Sequence, residues 1–329
     1  MRNEKKTAVP YSPTDYLYLS ARLRAKEASL VGKEHLARYR AMHTASEITA
    51  ALVAEGIFPA DTPREEALCA MLREGFETVR NGAPNPELFA FLQYPYDAHN
   101  AKTALKCHYL GKNPDGLLID AGTVPTAAFA TVPVEVPEAL PAHLREALPK
   151  AREVYEQTRD PREIDFILDA ACFADMTDAA AALPTAARLV QARAEMTNLR
   201  TCRRILSMQA DEAGEVMLSR AFLPGGVTEK ERLLCAYREG ESGFAALVAS
   251  GAYARVFEHE DPADVDLAMD NLYLELAKEG ARAPFGAEIA IGYLVGIEYA
   301  VKNLRILLVA KETGADDATV GRRMRENYV

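Results

Sequence analysis

Asp261-Pro262-Ala263-Asp264, an apolar helical run broken at Pro284, then Val301-Lys302-Asn303-Leu304-Arg305: these landmarks decide the fold, because they recur twice upstream. The earlier copies open with Asp160-Pro161-Arg162-Glu163 and Thr62-Pro63-Arg64-Glu65. They break at Pro184 and Pro84 and close with Asn198-Leu199-Arg200 and Asn100-Ala101-Lys102. Thr62, Asp160 and Asp261 stand 98 and 101 positions apart, and Asn100, Asn198 and Asn303 stand 98 and 105 apart. Three landmarks holding one period point to a triplicated unit.

Each landmark has a physical task. Asp or Thr before Pro offers a side-chain acceptor at the N-cap and a preset φ at the first helical position. Glu65 and Glu163 stand at capping-box spacing from Thr62 and Asp160. The later prolines cannot continue a helix and set turns. Each unit is therefore expected to be a helical hairpin of two long helices. The expected segments are 1–112, 113–210 (with a proline-rich lead-in over 113–149) and 211–329. Strand signals are nearly absent: Val132-Pro133-Val134-Glu135-Val136 alternates but carries a proline. The fold class expected is all-α.

The 329 residues suffice for three such units, and 49% of them are hydrophobic. With 38 basic and 48 acidic residues the net charge is −10, which argues against nucleic acid as a partner. The five scattered cysteines lack a C-x-x-C pair and are expected to be buried thiols in a reducing compartment. The polar start Met1-Arg2-Asn3-Glu4-Lys5-Lys6 lacks a following apolar run, and Ile289–Ile297 is too short to span a bilayer. A soluble, cytoplasmic protein without direct bilayer insertion is expected.

Residues 1–13 read as a frayed start, and a helix opens at Asp15-Tyr16 with Leu19, Leu23 and Leu30 on one side. Prolines crowd 113–149, the best linker candidate, with a short helix around His143-Leu144-Arg145. Residues 211–260 are expected to hold one or two helices around the breaker Pro224-Gly225-Gly226. A last short helix carries Arg322, Arg323 and Arg325.

Motifs of catalysis are missing. No Gly-rich phosphate loop, H-E-x-x-H or Glu-x-x-His occurs. Gly240-Glu241-Ser242-Gly243 imitates a nucleophile elbow, but Phe244 replaces the second glycine and no strand precedes it. It is expected to be a turn between helices. Cys107 and His108 are neighbours that point apart on a helix, and both read as packing residues. Asp316-Asp317 reads as an entry into a helix N-cap. Neither a cofactor nor a metal site is expected, and the chain is read as no enzyme.

Glu298, Lys302 and Arg305 share one helical stripe at spacings of four and three. They are either a solvated stripe or polar contacts between repeats or with a partner. Arg322, Arg323 and Arg325 join them as candidate contact residues.

The C-terminal Pro284-Phe285-Gly286, Ile291-Gly292-Tyr293-Leu294, Lys302-Asn303-Leu304-Arg305-Ile306-Leu307-Leu308, Lys311, Gly314 and Arg325…Tyr328-Val329 resemble the C subunit of V/A-type rotary ATPases and ATP synthases. Its equivalent in the eukaryotic vacuolar enzyme is the d subunit. Ala21-Arg22-Leu23-Arg24-Ala25-Lys26-Glu27 is similar to the family's first helix. Ile289-Ala290 and Gly296 depart from the family pattern. The resemblance implies three similar helical domains forming a funnel. It implies a non-catalytic central-stalk adapter that couples the rotating shaft subunits to the membrane rotor ring for proton or sodium transport. The chain would then be peripheral to the membrane through that complex. The alternative is an all-α repeat scaffold without a rotary role.

Overall fold

The computed structural model describes residues 11–208 and 211–329. Among these the chain is all-helical, with no strand. The α-helices are α1 (Leu17–Glu27), α2 (Lys33–Arg40), α3 (Ala45–Ala54), α4 (Arg64–Arg80) and α5 (Tyr94–Tyr109). There follow α6 (Ala142–Thr158), α7 (Pro161–Ala180), α8 (Pro184–Met208), α9 (Glu212–Ala221) and α10 (Lys230–Arg238). The chain ends with α11 (Gly240–Ala249), α12 (Pro262–Ala277), α13 (Glu279–Arg282), α14 (Ala287–Thr313) and α15 (Asp317–Arg323).

By packing, the residues group into two compact units. One holds the described residues up to Phe89 with Ala179–Ala187 and Leu274–Val329, the other Ala90–Asp178 with Arg188–Tyr273. This division follows contacts, whereas the segments 1–112, 113–210 and 211–329 follow sequence period.

The core of the first unit is α14. Its sequence is apolar on nearly every face, and a helix of that kind has to be covered all round. Of its 27 residues 18 are buried, and α1, α2, α3, α4, α13 and α15 pack against it. Its N-terminus is fixed by polar bonds. Gly286 N donates to Ser20 Oγ at 3.1 Å, and Tyr11 Oη donates to Glu288 Oε2 at 3.0 Å. Arg24 donates to the carbonyls of Ala281 and Ala283 at 2.7 and 2.9 Å, covering carbonyls that end α13.

Two glycines of α14 admit the C-terminal tail. A Cβ at Gly292 would stand 2.4 Å from Tyr328 Oη, and one at Gly296 2.9 Å from the Tyr328 ring. The ring fills the groove that this i, i+4 pair leaves, and its hydroxyl bonds Glu27 Oε1 at 3.1 Å. Gly296, a departure in the resemblance, has its reason in Tyr328.

In the second unit, α5 and α7 are joined by two ion pairs one helical turn apart. Lys102 Nζ meets Asp169 at 2.5 Å and Lys106 Nζ meets Asp165 at 2.6 Å.

Several expectations are corrected. Asp160 and Asp261 do cap, accepting from Arg162 N at 2.9 Å and Ala263 N at 2.8 Å. Thr62 does not: its hydroxyl donates to Ala60 O at 3.1 Å, and α4 starts only at Arg64. Glu163 closes no capping box; it is buried and paired with Arg220. The 113–149 stretch is packed rather than a free linker, burying Val124, Phe129, Val132 and Leu140. Its short helix is the 17-residue α6, which runs through Pro149. Residues 211–260 hold three α-helices, not one or two, and Arg325 lies past the end of α15. Of the frayed start, residues 1–10 lie outside the described residues.

Candidate functional site

Asn100, Asn198 and Asn303 each make the same pair of bonds. Asn100 Nδ2 donates to Ile119 O at 2.9 Å while Ile119 N donates to Asn100 Oδ1 at 2.8 Å. Asn198 does so with Leu223, at 2.8 Å for both bonds. Asn303 does so with Arg325, at 3.1 and 2.9 Å. All three are buried, at 2% exposure or less. Each clamps the segment that returns over the second helix of its hairpin, and the primary amide supplies both a donor and an acceptor for it.

Three residues before the first two asparagines stands a buried acid. Asp97 accepts from Thr123 N, Thr123 Oγ1 and Val124 N at 3.1, 2.6 and 3.1 Å. Glu195 accepts from Val227 N, Thr228 N and Thr228 Oγ1 at 2.8, 2.8 and 2.5 Å. The neighbouring Gly122 and Gly226 have no room for a Cβ, which would stand 2.1 and 2.7 Å from the carboxylate oxygens. Burial lifts the Asp97 carboxyl to about 6 against the pull of its three donors. Three residues before Asn303 stands Ala300, and there the tail is held by Tyr328 instead.

The cation two places after each asparagine is paired as well. Lys102 meets Asp169, Arg200 Nη2 meets Asp266 at 2.8 Å, and Arg305 Nε meets Glu65 at 3.0 Å. In terms of the expected segments 1–112, 113–210 and 211–329, the first reaches the second, the second the third and the third the first. That partner choice has no signal in local spacing, because the acids sit at different offsets from their helix starts.

The remaining candidates are placed as follows. Glu298 and Lys302 form an i, i+4 pair at 3.3 Å, and Lys302 Nζ lies 4.5 Å from the Tyr299 ring centre. Arg322 is exposed, Arg323 is exposed and lines a cleft beside α14, and Arg325 Nη1 donates to Arg323 O at 2.8 Å. The structure brings Arg305 and Arg323 to one cleft; it puts Glu298 and Lys302 on a separate, half-buried stripe.

The residues weighed for chemistry lie as follows. Cys107 is buried, but its neighbour His108 is exposed, so only the cysteine is a packing residue. Burial pushes the Cys172 and Cys202 thiols up to about 12, far from thiolate reactivity. Cys235 is exposed rather than buried. Gly240–Gly243, expected as a turn, is the first turn of α11, where Ser242 Oγ donates to Glu239 O at 3.1 Å. Asp316 caps α15, accepting from Thr319 N at 2.8 Å. Among the described residues there is no cluster of three metal-ligating side chains, and no helix is long and apolar enough to cross a membrane.

Comparison with known proteins agrees with the sequence resemblance. Residues 19–323 match the ATP synthase (C/AC39) subunit family. The chain is 26% identical over 267 residues to the C subunit of the V-type sodium ATPase of Enterococcus hirae, covering 77% of this chain and 79% of that protein.

Proposed function

The chain belongs to the ATP synthase (C/AC39) subunit family, and on that premise we propose that it is the non-catalytic central-stalk adapter of a V/A-type ATPase or ATP synthase. It sits between the rotating shaft subunits and the membrane rotor ring and passes torque between ATP turnover and proton or sodium transport. The observation that carries this reading is the family match over residues 19–323.

The physics of the fold supports it. An adapter transmitting torque needs stiffness and shaped surfaces rather than a reactive group. Long helices packed side by side resist bending. The three asparagine clamps and the paired cations tie returning segments and neighbouring helices to the long helices α5, α8 and α14.

Co-elution of the purified chain with the central-stalk subunits and with isolated rotor ring, at two salt concentrations, tests the proposal. Binding to both is expected, with salt sensitivity reporting how much of each contact is charge. A well-folded chain that binds neither would leave a helical scaffold without a rotary role.

A further inference from the structure

α15 has only seven residues and is tied down on both flanks. Before its first turn closes, Arg40 grips both carboxylate oxygens of Asp317, at 2.5 and 2.6 Å. After its last turn, Asn303 clamps Arg325 and Tyr328 is seated in the α14 groove. Between these tethers α15 packs on α14 but leaves part of that helix uncovered. A cleft of about 360 Å³ remains, walled by Ile306, Val309, Ala310 and Val320, with Arg305 and Arg323 also lining it.

On α14, most of whose residues are buried, Val309 keeps 38% of its surface exposed at this cleft. The Arg323 side chain has no bonding partner among the described residues, and Arg305 gives Glu65 only its Nε bond. Two guanidinium groups beside an apolar floor stand out on a chain whose net charge is −10. The unpaired Arg323 guanidinium, with Arg305 beside it, offers an acidic partner a favourable contact on a net-negative chain. The stretch from Arg305 to Thr313 on α14 covers about 12 Å, the length of roughly two turns of a second helix.

We propose that the cleft between α14 and α15 seats a helical segment of a partner subunit, apolar on the face that meets Val309 and carrying carboxylates that meet Arg305 and Arg323. This docking site rests on the adapter reading, which supplies the partner subunits, and it names where on this chain one of them binds.

The test uses the full chain assembled in its ATPase complex, with a photoreactive benzoylphenylalanine in place of Val309. The control carries the same group at Val134, which is 79% exposed elsewhere. The expected result is an adduct from position 309, absent from position 134, that maps to a partner segment with Asp or Glu beside an apolar helical face. Arg323→Glu, a change at an exposed side chain, is expected to cut that adduct about tenfold without moving the chain's Tm. An adduct only with lipid, only within the chain or with a basic segment would overturn the proposal, as would a yield indifferent to Arg323→Glu. Co-purification without any adduct at position 309 sinks the docking site and leaves the adapter reading standing. Loss of co-purification in the unsubstituted chain sinks both.

Discussion

Asn303 on α14 and Arg325 beyond α15 are held together by a two-bond clamp, side-chain amide to backbone N–H and C=O, at 2.9 and 3.1 Å. The same clamp recurs between Asn100 and Ile119 and between Asn198 and Leu223. An asparagine is suited to it because the N–H and C=O of one residue need one acceptor and one donor side by side, which Asp or Leu at the same place cannot supply together.

Removing the clamp strands backbone groups, and the cost depends on whether water can replace the lost amide. Leu223 is 5% exposed and its two bonds are buried, whereas the bonds to Arg325 are part-buried. Asn198→Ala is therefore expected to lower stability by about 3 kcal/mol and Asn303→Ala by about 1–2 kcal/mol. Urea unfolding of both variants checks this order. If Asn303→Ala proved the costlier change, solvent access would not be what sets the cost.

Tyr328 and the glycines under it offer a sign test. In an exposed helix Gly→Ala stabilises by roughly 0.5–1 kcal/mol. At Gly296 a methyl group would collide with the Tyr328 ring at 2.9 Å. Gly296→Ala is expected to destabilise the intact chain but to become neutral or stabilising once Tyr328→Ala has emptied the groove. Thermal unfolding of the two single variants and the double variant reads this coupling directly. Additive effects would mean that the tail does not rest on the glycines.

Asp97 predicts a pH dependence. Its ordinary value of 3.8 is raised to about 6 in the fold, chiefly by burial, and the nearby Asp175 is raised as well. A group whose value rises on folding is protonated first in the folded state. Its stabilising contribution is thus complete below about 4 and disappears as pH climbs through about 6. Between pH 7 and pH 5 the wild-type chain should gain on the order of 1 kcal/mol from this group relative to Asp97→Asn. Urea titrations of both proteins at the two pH values give the difference in slope. Parallel pH dependences would show that Asp97 is ionised at its ordinary value.

The sequence made some of this legible and hid the rest for physical reasons. The all-helical class follows from periodicity, and the spacing of Asn100, Asn198 and Asn303 singled them out. Their task was invisible, because each partner lies 19 to 25 residues downstream, past the end of the long helix and in two of the three cases past a further short helix. Proline density over 113–149 suggested a linker, yet apolar residues between the prolines bury that stretch and α6 absorbs Pro149. Thr62 matched a capping pattern that Asp160 and Asp261 fulfil, but its hydroxyl turned to Ala60 O. Arg305 and Arg323 stand 18 positions apart, and only the return of α15 brings them to one cleft.

The pair of Arg305 and Glu65 joins α14 to α4 across 240 positions of sequence, with side chains 40% and 51% exposed. Half-exposed ion pairs contribute only about 0.2–1 kcal/mol, because water screens them and two long side chains lose freedom. Arg305→Glu places two acids face to face and should cost more than its removal, by roughly 1 kcal/mol. The exchange Glu65→Arg with Arg305→Glu restores opposite charges, so the double variant is expected to recover most of what either reversal loses. Stability should recover at low salt and the coupling should shrink at high salt. If the exchanged chain is stable but still fails to assemble with the shaft and ring, Arg305 also meets a partner there. If the two reversals simply add, the bond to Glu65 carries no energy of its own.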